Sequence, residues 1–427
     1  MFIQTPVRDA RPNYTDDIPS TDTNGLRSQL TQIKVSTALL TIFLVVSPPN
    51  PLQQQGDWSM SKETSIANEA LTREHIETYL HAQYGPQTEL LYLALLGQER
   101  QEDLKGYGYG RPLRVHFRHP NGQEDDIVLR TMSPDPFGHE RRSDRAGNLM
   151  MCYDLFNHVP HHIRALDIGT FAEDGSLLSM APGEAFFVTN YVEGELYAHD
   201  LSRMSQPTTE KNDEDIARAR ALAMYLVELH SEQADPSNYT RELRDTIGSG
   251  EGIFGLCDSY PLDHPIATQE RLMALEQKAV TWRWKLKHLS HRCKRTHGDF
   301  HPFNILFREG TDFTMLDCSR GGVGEPADDL ASMSLNYAFF ALQHNTSFEG
   351  PLRDCWDIFW RTYLEHTHDD EVFGVVAPFF AWRALVMASP TWYPSIDEAL
   401  RDRLLRFAER LLDGHPFHPE QIDEVLS

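Results

Sequence analysis

The sequence has few cysteines, and their placement argues against two kinds of structural site. The five cysteines are odd in number, scattered and never in a Cys-x-x-Cys spacing, at Cys152, Cys257, Cys293, Cys318 and Cys355. A disulfide framework or a zinc site needs ligands paired at characteristic spacings. The pattern therefore indicates a reduced protein, and we expect a cytoplasmic location.

The chain also lacks an excess of positive charge and a long hydrophobic run. It has 39 Lys and Arg residues against 63 Asp and Glu residues, a formal net charge of −24. Such a charge argues against nucleic acid as a partner. It would favour the approach of a small cationic substrate, and the alternative is simply a solvated acidic exterior. The mostly apolar run at 35–46 is too short to span a bilayer and is poorly placed for a signal peptide. We therefore expect no membrane partner.

The first part of the chain contains a segment with the composition of a disordered linker. Residues 47–56 are rich in Pro and Gln, as linkers often are. A helical pattern begins at Met60. We therefore expect residues 1–59 to form a disordered N-terminal extension that the protein can dispense with.

What the chain does contain is a dense motif at 297–304, with the sequence His-Gly-Asp-Phe-His-Pro-Phe-Asn. Its H-x-D-x-x-x-x-N layout is that of a kinase catalytic loop, and Asp317 follows Asp299 by eighteen residues. Asp299 can orient a substrate hydroxyl and take its proton, whereas Asn304 and Asp317 can hold Mg²⁺ on ATP phosphates. Considered separately, Asp299 could be a helix or turn cap and Asp317 an ordinary loop residue. The combined spacing predicts phosphoryl transfer.

The residues between Asn304 and Asp317 predict a β-hairpin. Residues 304–307 and 313–316 have strand patterns, and the turn-forming cluster 308–312 separates them. A hairpin would bring Asn304 and Asp317 side by side at its open end. Two oxygen ligands there would suit a hard cation that keeps several waters.

The residues ahead of this motif predict a helix and a small antiparallel sheet. Apolar residues recur at helical spacing over 62–83, with Thr72 and Glu74 as start signals. Three strand patterns follow, at 90–96, 113–117 and 127–130, with a hairpin turn between the second and the third.

A glycine-rich turn lies between the first two of these strands and is the candidate nucleotide-covering loop. It contains Gly106, Gly108 and Gly110. Glycines let backbone N–H groups approach phosphate oxygens. Turns use glycine for many other reasons, so this signal is weak by itself.

Arg130, at the end of the third strand, is the candidate basic residue for the nucleotide phosphates. Kinases usually have Lys there, and Arg offers a bidentate donor set instead. A helix is predicted over 140–156, and Asp144 or Glu140 could form the ion pair that kinases require, with Asp144 favoured. The alternative is an ordinary surface arginine.

Residues 185–189 have the pattern of a buried strand, and Asn190 and Val192 follow in a segment that could cross between two lobes. Backbone groups near Asn190 and Val192 would then contact the adenine edge, although an ordinary strand exit predicts the same residues. A strong helical pattern occupies 214–231. Beyond residue 325 the chain is mostly helical and apolar.

Two further clusters have competing interpretations. The glycine-rich segment 248–252 could be a mobile lid near the substrate or simply a flexible loop. Four tryptophans in the C-terminal part could form a cage for a cation, but core packing is the simpler interpretation, for Trp356, Trp360, Trp382 and Trp392.

The motifs resemble those of the aminoglycoside phosphotransferase and choline kinase-like small-molecule kinases. The resemblance rests mainly on HGDFHPFNILF and LDCSRGGVGEPADDLA, with support from FFVTNYVEGE and ALAMYLVELH. It implies an α+β, protein-kinase-like bilobal fold with ATP, or else GTP, and Mg²⁺ in the cleft. The small antiparallel β-rich lobe would occupy 60–189, and the larger helical lobe with the acceptor site would occupy 190–427.

The resemblance also implies individual roles. Asp299 matches the family's catalytic aspartate, Asn304 and Asp317 match its magnesium ligands, and Asp329 matches an aspartate that is usually structural. The chain departs from the family pattern at Arg130, where Lys is common, and at Cys318, where a bulky aromatic residue is common.

Spacing disfavours a protein substrate. Only eleven residues separate Asp317 from Asp329, and no Ala-Pro-Glu follows, so a regulated activation loop has no room. The expected function is ATP-dependent transfer of the γ-phosphate to a hydroxyl of a small molecule, of aminoglycoside, choline, amino-acid or sugar type. The alternative is a nucleotide-binding pseudokinase or scaffold, which the loss of Asp299, Asn304 or Asp317 would have favoured. The sequence specifies neither the acceptor nor the oligomeric state.

Overall fold

The computed structural model describes most of the chain beyond residue 70. The described residues are 71–96, 112–135, 137–160, 162–180, 187, 189–210, 212–318, 320 and 322–427. They fall in one compact unit, Ser65–Ser427. The predicted extension at 1–59 lies outside the described residues and stays a prediction.

The first described elements are a helix and a three-stranded antiparallel sheet. Helix α1 (Arg73–Tyr84) precedes β1 (Glu89–Leu95), β2 (Leu113–Arg118) and β3 (Glu124–Leu129), in the order β1-β2-β3. These elements confirm the strands and the part of the predicted helix from Arg73 onward, whereas residues 62–70 lie outside the described residues. The Thr72 side chain caps α1 by accepting from the His75 N–H at 3.3 Å, so the start signal is confirmed as well.

This sheet and α1 share a small hydrophobic core. The β2–β3 register, from Leu113 opposite Leu129 to Arg118 opposite Glu124, places alternate residues on one face. The buried members of this core are Ile76, Leu80, Leu90, Val115 and Phe117. It is separate from the larger core of the helical part.

Helix α2 (Arg142–Phe156) and a short hairpin of β4 (Gly169–Phe171) with β5 (Leu177–Ser179) come next. Helix α2 confirms the helix predicted over 140–156. Of the strand predicted at 185–189, only Phe187 and Thr189 are described, and neither lies in a strand.

Most of the remaining chain is helical. The helices are α3 (Tyr197–Met204), α4 (Asp213–Leu229), α5 (Ser237–Gly248), α6 (Ile253–Asp258), α7 (Gln269–Leu286), α8 (Pro326–Leu342), α9 (Pro351–Thr367), α10 (Val372–Val375), α11 (Ala377–Ala388), α12 (Glu398–Leu412) and α13 (Ile422–Leu426). Helix α4 confirms the pattern at 214–231. In α8 every residue except Asp328 is buried, including polar residues such as Asp329 and Asn336, so this helix is central to the core. Within the described ranges, no helix is long and apolar enough to cross a bilayer.

Short strands fix the segment that contains the sequence motif. They are β6 (Glu195–Leu196), β7 (Lys294–Arg295), β8 (Ile305–Phe307), β9 (Phe313–Met315) and β10 (Val323–Gly324). Strands β6, β8 and β9 form one antiparallel sheet, and β7 pairs with β10. The residues between β7 and β10 are therefore held at both ends and in the middle by backbone hydrogen bonds.

Candidate active site

Asp329 anchors the loop that carries Asp299. Its fully buried carboxylate accepts hydrogen bonds from the backbone N–H groups of His297 (2.7 Å) and Gly298 (2.8 Å). His230 Nε2 lies 3.1 Å from the same carboxylate. Gly298 has φ +80°, which side chains other than glycine rarely tolerate, so the chain can turn sharply just before Asp299. Asp329 thus has the structural role that the resemblance implies.

Four nitrogen donors surround the Asp299 carboxylate. Arg383 Nη1 lies 3.0 Å and Arg320 Nη1 3.8 Å from Oδ1. Asn304 Nδ2 donates to Oδ2 at 3.2 Å, and His301 Nε2 lies 3.4 Å from the same oxygen. Because every one of these partners is a donor or a cation, the site favours the charged form of Asp299.

The pKa of Asp299 reflects a competition between burial and these partners. Burial alone would raise the pKa of the carboxyl, but the His301 hydrogen bond and the positive charges of Arg383 and Arg320 outweigh burial and hold the pKa well below its usual range. Asp299 is therefore ionised at neutral pH and can accept a hydrogen bond from a hydroxyl group. Since so acidic a group is a weak base, orientation of the hydroxyl is the larger contribution that it can make.

The predicted hairpin is present, and it brings Asn304 and the residue before Asp317 together. Ile305 pairs with Met315, and the Leu316 N–H donates to the Asn304 carbonyl at 2.9 Å. Asp317 is the next residue and is exposed. Because Asn304 Nδ2 is directed at Asp299, its Oδ1 is the side-chain atom available to a cation.

The donors at this end of the hairpin fit Mg²⁺. Asn304 offers an amide oxygen and Asp317 a carboxylate, which are hard oxygen ligands. Among the described residues, no group of three or more His, Cys, Asp or Glu residues could hold a metal. Mg²⁺ held at Asn304 and Asp317 would complete its shell with water and phosphate oxygens, as this ion commonly does.

The residues predicted to bind the nucleotide are only partly described. Gly106, Gly108 and Gly110 lie outside the described residues. Arg130 is exposed directly after β3. Asn190 is exposed and Val192 half-buried, in a segment without regular secondary structure that leads to β6. Their nucleotide contacts stay predictions.

Asp144 has a different partner from the predicted Arg130. Its two carboxylate oxygens accept from Arg241 Nη1 (2.8 Å) and Nη2 (2.9 Å). Glu140, the other candidate, accepts from Arg241 Nη1 (2.6 Å) and Arg244 Nη2 (2.8 Å). The first turn of α2 lies against α5, and the guanidinium groups of α5 offer forked donors that suit carboxylates. The predicted ion pair with Arg130 is therefore corrected to one with Arg241.

A cavity of about 320 Å³ opens beside the Asp299 loop and reaches Gly298. Its walls come from α5, the turn at 249–251, the β10–α8 junction and α11. The residues that matter for its chemistry are Arg141, Glu242, Glu251, Arg320, Asp328 and Trp382. The cavity comes close to Asp299, because Arg320, which lines it, has Nη1 3.8 Å from Asp299 Oδ1.

Every carboxylate that lines the cavity has an arginine partner. The pairs are Glu242 with Arg141, Asp245 with Arg241, Glu251 with Arg320, Glu325 with Arg292, and Asp328 with Arg383. Burial also raises the pKa of Glu242 to about 7 and that of Asp328 to about 6, although arginines oppose both shifts. The cavity is therefore polar but has little net negative charge.

Sequence reasoning missed Arg320 and Arg383. Their guanidinium carbons lie 5.0 and 4.1 Å from the centre of the Trp382 ring, so Trp382 does contact cations, although they belong to the protein itself. Trp356 and Trp360 are buried in the core, as the simpler interpretation predicted. Arg320 lies three residues after Asp317 and could have been noticed in the motif. Arg383 has no local signal, because only the tertiary fold brings it to Asp299.

The glycine-rich turn at 248–252 allows a direct test of whether its shape matters. A Cβ on Gly252 would lie 2.4 Å from the Asp245 carbonyl oxygen, whereas one on Gly250 would meet nothing within 4 Å. We expect Gly252→Ala to displace the turn and lower stability by about 1–3 kcal/mol, and to raise the Michaelis constant of the acceptor. Gly250→Ala is the matched control. Equal melting temperatures and kinetics for the two variants would contradict this account of the turn.

The geometry can be compared with known proteins. The model of the phosphotransferase enzyme family (APH) matches residues 128–354, which is more than half of the chain. The match includes Asp299, Asn304 and Asp317. No curated protein matches the sequence.

Solved structures of small-molecule kinases are similar at low identity. A glucosamine kinase in complex with glucosamine, ADP and inorganic phosphate is 15% identical over 54% of this chain and 62% of its own, with a TM-score of 0.35. Choline kinase LicA from Streptococcus pneumoniae is 14% identical over 80% of this chain and 100% of its own, with a TM-score of 0.30. Aminoglycoside phosphotransferase APH(2'')-Ib is 15% identical over 80% and 97%, with a TM-score of 0.29.

The family match covers both the Asp299 loop and the hairpin that follows. It also confirms the resemblance found in the motifs. The chain belongs to the phosphotransferase enzyme family.

Proposed function

We propose that the protein transfers the γ-phosphate of ATP to a hydroxyl group of a small molecule. Membership of the family makes it a small-molecule phosphotransferase with a protein-kinase-like fold. The observation that carries the finer proposal is the placement of one side chain, the Asp299 carboxylate. It is hydrogen-bonded to Asn304 beside the open end of the hairpin, and its loop borders the cavity.

In this proposal Asp299 orients the acceptor hydroxyl. Arg383, Asn304 and His301 already donate to this carboxylate. Since a carboxylate can accept about four hydrogen bonds, it can accept one more from the hydroxyl. Asn304 and Asp317 would hold Mg²⁺, which neutralises phosphate charge when bound. Arg320 lines the cavity next to Asp299 and adds positive charge at the same place. Catalysis then comes from positioning and charge neutralisation.

The nucleotide would bind between two lobes. The separate hydrophobic cores, one built on α1 and the first sheet and the other on the helices, support a division near residues 189 and 190. Arg130, Asn190 and Val192 remain the proposed contacts from the described residues, and ATP is proposed over GTP. We propose a cytoplasmic location, where ATP and Mg²⁺ are abundant.

The paired charges of the cavity favour an acceptor molecule with little net charge. A polyamine such as an aminoglycoside would have to compete with the arginines that already pair with the cavity's carboxylates, and breaking a buried pair leaves an uncompensated charge. Neutral polyols and sugars, or compounds with a single ammonium group, avoid that cost.

The test is a panel of acceptors assayed with the full chain and Mg·ATP. The panel contains neutral sugars, amino sugars, choline, hydroxy amino acids and aminoglycosides, with ADP release and product mass as readouts. We expect transfer to a compound of low net charge, and a rate about two to four orders of magnitude lower with Asp299→Asn. Mg·ATP binding without transfer to any acceptor would favour the pseudokinase alternative.

A further inference from the structure

Arg383 is a buried arginine with hydrogen-bond partners in two separate parts of the site. It lies on α11, and its side chain is only 6% exposed. Nη1 donates to Asp299 Oδ1 at 3.0 Å, while Nη2 donates to the Gly298 carbonyl (3.1 Å) and to Asp328 Oδ1 (2.8 Å). One guanidinium thus connects the Asp299 loop to the start of α8.

The surroundings make this arginine a rigid support. Helix α11 is buried at every residue except Val386, and the Arg383 guanidinium carbon lies 4.1 Å from the centre of the Trp382 ring. A buried cation persists only where carboxylates pair with it, and Asp299 and Asp328 provide that pairing. Lys could not replace it fully, because one ammonium group cannot reproduce the planar fork that reaches three acceptors.

Arg383 and Asn304 hold opposite oxygens of the same carboxylate. Arg383 donates a hydrogen bond to Oδ1 and Asn304 donates one to Oδ2, so rotation of the Asp299 side chain would break one contact or the other. At the same time Asp329 fixes the backbone of the loop through His297 and Gly298. Two neighbouring aspartates of α8 therefore act on the loop, Asp329 directly and Asp328 through Arg383.

We propose that Arg383 is a positioning residue for phosphoryl transfer, which holds the Asp299 carboxylate in the orientation that receives the acceptor hydroxyl. This inference rests on the proposed function. Arg383 acts through the Asp299 loop, which it contacts at the Asp299 carboxylate and the Gly298 carbonyl. It lies outside the set of residues that line the cavity. Its loss should therefore change turnover much more than nucleotide binding.

A double-mutant cycle of Arg383 and Asp299 tests this role. The assay measures ADP release when water is the acceptor of the γ-phosphate of Mg·ATP. We expect Arg383→Met to lower kcat by about 10- to 100-fold, since small misplacements cost that much, with the KM for Mg·ATP nearly unchanged. Arg383→Lys should recover part of the loss. In the Asp299→Asn background, Arg383→Met should lower kcat no further, because residues that act as a unit are not additive.

Two further variants separate positioning from stability. Arg401 is also a buried arginine, but it donates to the carbonyls of Ala388 and Tyr393 and not to the Asp299 loop. Arg401→Met should lower the melting temperature without lowering kcat of the folded protein. Asp328→Asn removes the other support of Arg383 and should lower kcat only when Asp299 is present. If Arg383→Met does not fold, Asp328→Asn is the variant that tests the positioning role.

The outcomes distinguish this inference from the proposed function. If the wild-type protein neither binds nor hydrolyses Mg·ATP, the proposed function fails, and the role of Arg383 fails with it. If the wild type hydrolyses Mg·ATP but Arg383→Met costs as much in the Asp299→Asn background as in the wild-type background, only the positioning role is overturned. The positioning role is supported if Arg383→Met lowers kcat only in the protein that retains Asp299.

Discussion

Replacing Asp299 with alanine should lower turnover by about two to four orders of magnitude. The change removes the carboxylate that would orient the acceptor hydroxyl, and it leaves Arg383 and Arg320 facing each other without the charge that they share. Steady-state kinetics of phosphate transfer, at saturating Mg·ATP, measure the effect.

Asp299→Asn is the matched variant, because it keeps the shape of the side chain and removes its charge. We expect it to lose turnover while it still binds Mg·ATP, since Asn304 and Asp317 are unchanged. Turnover within about tenfold of the wild type for Asp299→Ala, an effect smaller than general acid–base groups usually have, would show that Asp299 does not have this role.

Replacing Asp317 with alanine should abolish Mg²⁺-dependent use of the nucleotide. Asp317 is the only charged side chain of the two proposed magnesium ligands, and the amide oxygen of Asn304 is a weaker ligand for a divalent ion. The measurement is the rate of transfer as a function of Mg²⁺ concentration, with nucleotide affinity determined in parallel.

The same hairpin offers a control at its closed end. Asp312 is an exposed carboxylate that pairs with Arg308 at 2.5 Å. Surface ion pairs contribute about 0–1 kcal/mol to stability, so Asp312→Ala should leave transfer and its Mg²⁺ dependence unchanged. Equal effects of Asp312→Ala and Asp317→Ala would argue against a specific metal ligand at Asp317.

The elements that the sequence predicts well are those specified by local patterns. The hairpin between Asn304 and Asp317 follows from two short apolar runs and a turn-forming cluster, and its register is then fixed by adjacent residues. The capping of α1 by Thr72 is equally local. Such features need no knowledge of the rest of the chain.

The partners of charged residues were predicted less well, because they depend on which helices pack together. Asp144 was expected to pair with Arg130, yet Arg241 on α5 reaches it from 97 residues away. Arg383 contacts Asp299 across 84 residues. Spacing in the sequence carries no signal for either contact, since many arginines are equally suitable until the helices are in place.

The central claim is that Asn304 and Asp317 hold a divalent cation on the nucleotide next to Asp299. The most direct measurement is electron paramagnetic resonance of Mn²⁺, added in place of Mg²⁺, with the full chain and a non-hydrolysable ATP analogue. The account predicts a bound Mn²⁺ signal that requires the nucleotide and disappears in Asp317→Ala but persists in Asp312→Ala. An unchanged signal in Asp317→Ala, or nucleotide binding that is indifferent to the metal, would contradict it.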